Sequence, residues 1–336
     1  MKQSAFTILA LLIATLSGCA STPPATPEWI TGDSAQYKRS EYLIGRGQAA
    51  TQEEAKDRAR ADLSKIFQVA VVAESEDIQK FKSDPDEGKP EYEGQVSRRI
   101  STHTEQIIRG IQIAELWQDP ERQQFHALAI MPRLQTAASL RQQIDQLDAA
   151  TASHIEQSRN NNDLFMKIAS ANQALESQRE RAALQKSLQI VDITGRGVEP
   201  KWNSDKLKSD LDGLLKRVRI ASQVTAGSTP GLEDVVSGAL AQSGFMIETG
   251  QHPDYVLQVQ MQLNDLGLKD GWYWQRGVLE ATLSETATNR VRGTKRWNIK
   301  GNAPDKDSSA KRALNQADTV LKQELRTAII DMATTR

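Results

Sequence analysis

The sequence predicts an α+β fold: two small α+β domains with antiparallel sheets, joined by a helical segment. Three observations carry this expectation. A strand-like stretch, Tyr42 to Ala49, runs into a helical stripe of small and apolar residues. Residues 134–190 keep a spacing of three and four, the period of a helix. From Tyr255 onward apolar residues alternate with glutamines, and turn signals then divide the chain into strands.

Taken in order, the chain opens with Lys2 and an apolar run from Ala5 to Thr15, too short to span a bilayer. Leu16-Ser17-Gly18-Cys19 follows, and this pattern resembles the lipobox of bacterial lipoproteins. The resemblance implies a signal over residues 1–18, diacylation of the Cys19 thiol, cleavage before it, and an acylated amino group. Ala20, rather than an aspartate, then implies sorting to the outer membrane, with the protein facing the periplasm. The other reading is a secretory signal with an incidental cysteine. It has to explain why the chain's only cysteine falls at this position. Two or three acyl chains give stable anchoring where one does not.

Residues 19–27 form a proline-rich tether. Trp29-Ile30 opens the folded part, and Thr51-Gln52-Glu53-Glu54 reads as a capping box after the first strand. The helix behind it is expected to bury Ala55, Ala59, Leu63, Ile66, Phe67 and Ala70. A hairpin is expected from Gly110 to Met131, turning at Asp119-Pro120-Glu121-Arg122. Between helix and hairpin, the acidic stretch Glu74 to Glu93 holds Pro85, Gly88 and Pro90 and reads as an exposed loop.

The Pro-x-Trp entry, Gly-x-Gly strand, Ala-rich helix and Gly-to-Trp hairpin resemble the Lpp-twenty family of bacterial lipoproteins over residues 28–133. The same module is similar to the N-terminal domain of a flagellar outer-membrane-ring assembly protein. Residues 134–190 then predict two helices in an antiparallel hairpin, broken at Asn160-Asn161-Asn162-Asp163, with one continuous rod as the alternative.

Residues 200–336 predict a second α+β domain. Leu207 to Leu215 marks a helix, Val218 to Val224 a strand, and Thr229-Pro230 the start of another helix that ends at Gly244. Three strands follow, turning at Asp270-Gly271 and Thr286 to Asn289, and a last helix buries Leu314, Ala317, Leu321, Leu325, Ile329 and Met332. This element order is similar to periplasmic domains related to the curli-secretion lipoprotein and the TolB N-terminal domain.

Composition narrows the function classes. Charge is balanced, 42 basic against 43 acidic residues, so nothing global favours nucleic acid. The four histidines, His103, His126, His154 and His252, have no ligand spacing, so no metal site or cofactor is expected. No nucleophile motif is present and the one thiol is committed to lipid, so no catalytic residue is assigned and no enzyme is expected. Gly45-Arg46-Gly47 and Gly195-Arg196-Gly197 lack the spacing of a nucleotide loop. They are expected to mark, respectively, a strand bulge close to a helix and a turn.

The alternation of the second domain's strands carries the candidate site. With Tyr273, Leu279, Ala281 and Leu283 facing the core, Trp272, Trp274, Arg276 and Val278 face away. With Val291, Trp297 and Ile299 inward, Arg290, Arg292, Arg296 and Lys300 point out. Arg217 and Arg219 join them beside the inward Val218 and Ile220. Trp272, Trp274, Arg276, Arg290, Arg292 and Arg296 are therefore the expected partner-binding residues. The alternative is that other parts of the chain cover this face. The expected partners are the outer membrane, through the lipid anchor, an envelope protein, and possible further copies of the chain. The resemblance implies a role in envelope or flagellar-ring assembly or in regulating a wall synthase. The alternative function is a carrier for an anionic envelope ligand such as lipopolysaccharide.

Overall fold

Two glycines decide how the long helix after the first strand meets the first sheet. In the computed structural model, which describes residues 25–80, 110–250 and 252–334, the chain divides into two compact units. The signal, Cys19, the start of the tether, residues 81–93 of the acidic stretch and His103 lie outside the described residues.

The first unit starts with the single turn α1 (Glu28–Thr31), which buries Trp29. The strands are β1 (Tyr42–Ala49), β2 (Gln112–Gln118) and β3 (Phe125–Pro132), in the order β1-β3-β2 and antiparallel throughout. Helix α2 (Gln52–Lys80) follows β1, and the boundary of the first unit falls within it, after Lys65. Thr51 caps it by accepting the Glu54 N–H at 3.3 Å. Ala55, Ala59, Leu63 and Phe67 are buried as the stripe predicts. Ile66 is not: it lies at the stripe's margin and is 38% exposed. Residues 74–80, expected in a loop, continue α2.

A Cβ on Gly45 would fall 2.7 Å from Leu63 Cβ and collide with the Ala59 carbonyl, and one on Gly47 would collide with that of Ala55. Close approach, not a bulge, is the reason for both glycines, because the β1–β3 register runs unbroken from Tyr42 to Ala49. The opposite face of the sheet closes over Trp29, Leu128 and Ile130, with Tyr37, Tyr42, Ile44 and Trp117 packed around them.

The second unit contains the helical pair α3 (Arg133–Asn160) and α4 (Leu164–Val191). They form the antiparallel hairpin. Asp163 ends the break by accepting the Met166 N–H at 3.0 Å. Then come α5 (Ser204–Leu215), β4 (Arg219–Val224), α6 (Leu232–Ser243), β5 (Met246–Ile247), β6 (Tyr255–Lys269), β7 (Trp272–Glu285), β8 (Arg290–Ala303) and α7 (Lys306–Thr334). Helix α6 begins two residues later than Thr229-Pro230 predicts, after Gly231 at φ 84°, and Gly244 at φ 85° ends it.

The sheet order is β5-β4-β6-β7-β8. β6, β7 and β8 form the expected antiparallel meander, while β4 pairs parallel with both β5 and β6. The crossover of β4 through α6 to β5 makes this parallel pairing geometrically natural. One face carries Leu257, Val259, Met261, Leu279, Ala281, Leu283, Trp297 and Ile299 into a core shared with α4, α6 and α7. The ring of Phe165, on α4, meets Tyr255 edge-on at 4.8 Å, fixing the hairpin to this core. The result is the α+β architecture expected.

Candidate functional site

The outer face of the second sheet follows from the period of two. Along β7, Gln275, Gly277, Leu279, Ala281 and Leu283 are buried, whereas Arg276 and Val278 are exposed and Trp274 is half-buried. Val278 is 44% exposed, large for a valine in the middle of a central strand. On β6 the outward Gln258 and Gln262 are exposed, and on β8 so are Arg296, Asn298 and Lys300.

The six expected site residues do not all meet there. Trp274 and Arg276 do. Arg296 does too, but its guanidinium is paired with Glu280, which also accepts from Gln260 at 2.9 Å. Trp272 sits at the turn end of β7, with the Arg312 guanidinium from α7 lying 5.9 Å from its ring centre.

Arg290 and Arg292 require a correction. The β7–β8 register steps from Leu283 opposite Gly293 to Ser284 opposite Val291, leaving Arg292 as the extra residue of a bulge. The inserted residue reverses the alternation beyond it. Val291, expected inward, turns out beside Ser284 and is 56% exposed. Arg290 falls opposite Glu285, in the alternation of the helix-covered face. Arg292 Nη2 instead donates to the Ala333 carbonyl at 2.6 Å, a cation on the open C-terminal end of α7.

Arg219 is exposed beside buried Ile220, as expected, and its guanidinium forks onto Asp254: Nη2 to Oδ1 at 2.8 Å and Nε to Oδ2 at 3.2 Å. This hydrogen-bonded pairing, with a further bond from the Arg219 N–H, holds the Asp254 carboxyl below the usual aspartate range. Arg217, expected beside Arg219, is exposed in the turn before β4. The cations of β7 and β8 left on the open face are thus Arg276 and Lys300, directly opposite one another on neighbouring strands. Neither makes an ion pair among the described residues. Like charges in this position repel, so their juxtaposition is a cost the sheet carries.

Elsewhere, a cleft of about 1050 Å³ runs between the helical hairpin and α5, lined by Ile155, Ala171, Ala174, Trp202, Leu207 and Leu214 among others. On its rim Lys206 pairs with Asp210 at 3.2 Å. No group of three or more potential metal ligands converges among the described residues. Of the described histidines, His126 packs against Trp117 and His252 is exposed. Gly195 and Gly197, at φ 67° and 69°, make the turn expected of their triplet.

The first unit supplies the link to other proteins, with its short α1, its Gly-x-Gly strand under an alanine-rich helix, and its hairpin. Residues 27–131 match the model of the LPP20 lipoprotein family. That match supports a lipid-anchored envelope protein, and among the described residues no helix is long and apolar enough to cross a membrane. No curated protein matches the chain by sequence. Solved structures similar to it include a secreted protein of Helicobacter pylori, 11% identical, covering 84% of this chain and 97% of its own, with a TM-score of 0.39. A minor lipoprotein of Acinetobacter baumannii is 13% identical, covering 35% of this chain and 91% of its own, with a TM-score of 0.26.

Proposed function

We propose that this protein is a non-enzymatic lipoprotein, held at the outer membrane by acyl chains on Cys19 and facing the periplasm. There it binds an envelope protein through the open face of its five-stranded sheet. Roles in flagellar-ring assembly or in control of a wall synthase fit such a binder. The observation that supports the reading most is the exposed Val278, with Arg276 and Trp274 two and four residues back on the same face of β7 and Lys300 opposite Arg276, on a face its own helices leave free. Apolar and aromatic side chains beside arginine are the composition of binding surfaces.

The opposed Arg276 and Lys300 favour one second reading, an anionic envelope ligand such as lipopolysaccharide in place of a protein. Crosslinking in intact cells with Trp274→Ala and Arg276→Glu separates the two. Loss of a crosslinked protein band, with folding preserved, supports the first. Loss of a copurifying anionic lipid supports the second, and unchanged recovery of both removes this face from consideration.

A further inference from the structure

β6 and β7, fifteen and fourteen residues long, join at Asp270-Gly271, whose φ angles of 53° and 80° fit the two-residue hairpin turn. The end of this hairpin carries apolar side chains that the core does not use. Leu266, Leu268 and Trp272 are 40%, 59% and 40% exposed, within seven residues of chain. A solvated turn has no need of two leucines and an indole.

The surrounding charge is mostly positive. Lys269 lies within the tip and Arg312 rests over the indole, with Arg276 and Lys300 next along the strands. Asp265 is already held by Lys306 at 2.8 Å, leaving Asp270 as the opposing charge of the turn itself.

We propose that this tip is a second, reversible membrane contact, seated in the headgroup boundary of a bilayer containing anionic lipid. An indole beside the turn, leucines just behind it and lysine or arginine reaching back to phosphates are what that boundary selects. Three side chains cannot supply the ~800 Å² per partner of a stable protein interface. They do suffice for a bilayer when an anchor keeps the chain close, because tethering converts weak binding into an intramolecular event. The inference rests on the proposed Cys19 anchor for that proximity alone.

The test uses the full chain in vesicles of phosphatidylethanolamine and phosphatidylglycerol with brominated acyl chains. Part of the tryptophan emission is quenched in the wild type. Trp272→Phe removes that component, and Leu266→Ser with Leu268→Ser removes it while leaving Trp272 in place. Unchanged melting temperatures confirm that the folded state is intact. The full chain carrying Cys19→Ser binds these vesicles more weakly than the wild type, measurably only at high lipid concentration, and the two serine substitutions added to it weaken binding about tenfold further. Replacing phosphatidylglycerol by phosphatidylcholine weakens it as well. Quenching that is unaltered in Trp272→Phe overturns the proposal, as does vesicle binding indifferent to the leucines, or tip-dependent self-association in place of lipid binding. If Cys19→Ser leaves attachment as firm as before, the anchor reading fails, while the tip is still judged by Trp272→Phe.

Discussion

Arg181 Nε donates to Asp148 Oδ1 at 2.9 Å across the helical hairpin, and both side chains are buried from solvent. Gln178 donates to the same carboxylate and to Thr151, while Arg181 Nη2 reaches the Val198 and Glu199 carbonyls at 3.1 Å. One cluster therefore fixes the register of α3 against α4 and folds the following linker back on them. Removing one partner strands a buried charge. Arg181→Ala is expected to cost about 3–5 kcal/mol in chemical denaturation. Arg181→Met combined with Asp148→Leu should recover most of that, since an apolar pair replaces the ions. The carbonyls of Val198 and Glu199 still lose their donor, so limited proteolysis should cut the 192–203 linker faster in the double variant than in the wild type.

The glycines of β1 are expected to tolerate no side chain. Gly45→Ala places a methyl against Leu63 and the α2 backbone, so it should lower stability by about 1–3 kcal/mol. At Gly213, in α5, an added Cβ would meet nothing within 4 Å, so Gly213→Ala should stabilise by about 0.5–1 kcal/mol. Thermal melts of the two variants, shifting in opposite directions, check both expectations.

What the sequence makes legible follows physical range. The period of two along β6 and β7 and the stripe of α7 depend on neighbours a few residues away, and they predict the observed burial, except that Leu314 is only half-buried. Arg292 escapes the alternation because a bulge leaves no mark in a string such as Arg290-Val291-Arg292-Gly293. The one local sign is Gly293, where a Cβ would come within 2.9 Å of Met332 Cβ. Parallel pairing of β4 is equally hidden, since it depends on where the α6 crossover returns the chain. Glu280 neutralises Arg296 from a neighbouring strand, a relation set by register rather than by spacing. The Asp148–Arg181 pair spans 33 positions of chain between two polar helix faces, where nothing local marks it as buried.

Asp254 is expected to make stability depend on acid. Its carboxyl is held low mainly by the Arg219 side chain, so its contribution is complete above the unfolded aspartate value of about 3.9. That contribution is lost as pH falls through the lower value of the folded state. The difference in melting temperature between wild type and Asp254→Asn should therefore be constant near neutrality and shrink below about pH 4. A difference that grew on acidification would contradict this pairing.

The two faces of the second sheet predict opposite behaviour for two tryptophans. Trp297 is 7% exposed on the helix-covered side, and its Nε1 donates to Glu324 of α7 at 2.7 Å. Trp297→Ala should cost about 3–5 kcal/mol by opening a cavity, and it also leaves Glu324 without its donor. Trp274 lies half-buried on the open side, where Trp274→Ala should cost about 1–2 kcal/mol, clearly less than Trp297→Ala. Loss of binding in Trp274→Ala can then be read as loss of contact, because the fold survives. Equal destabilisation by the two substitutions would mean that the outer indole is packed against protein, and partner binding would have to be sought away from this face.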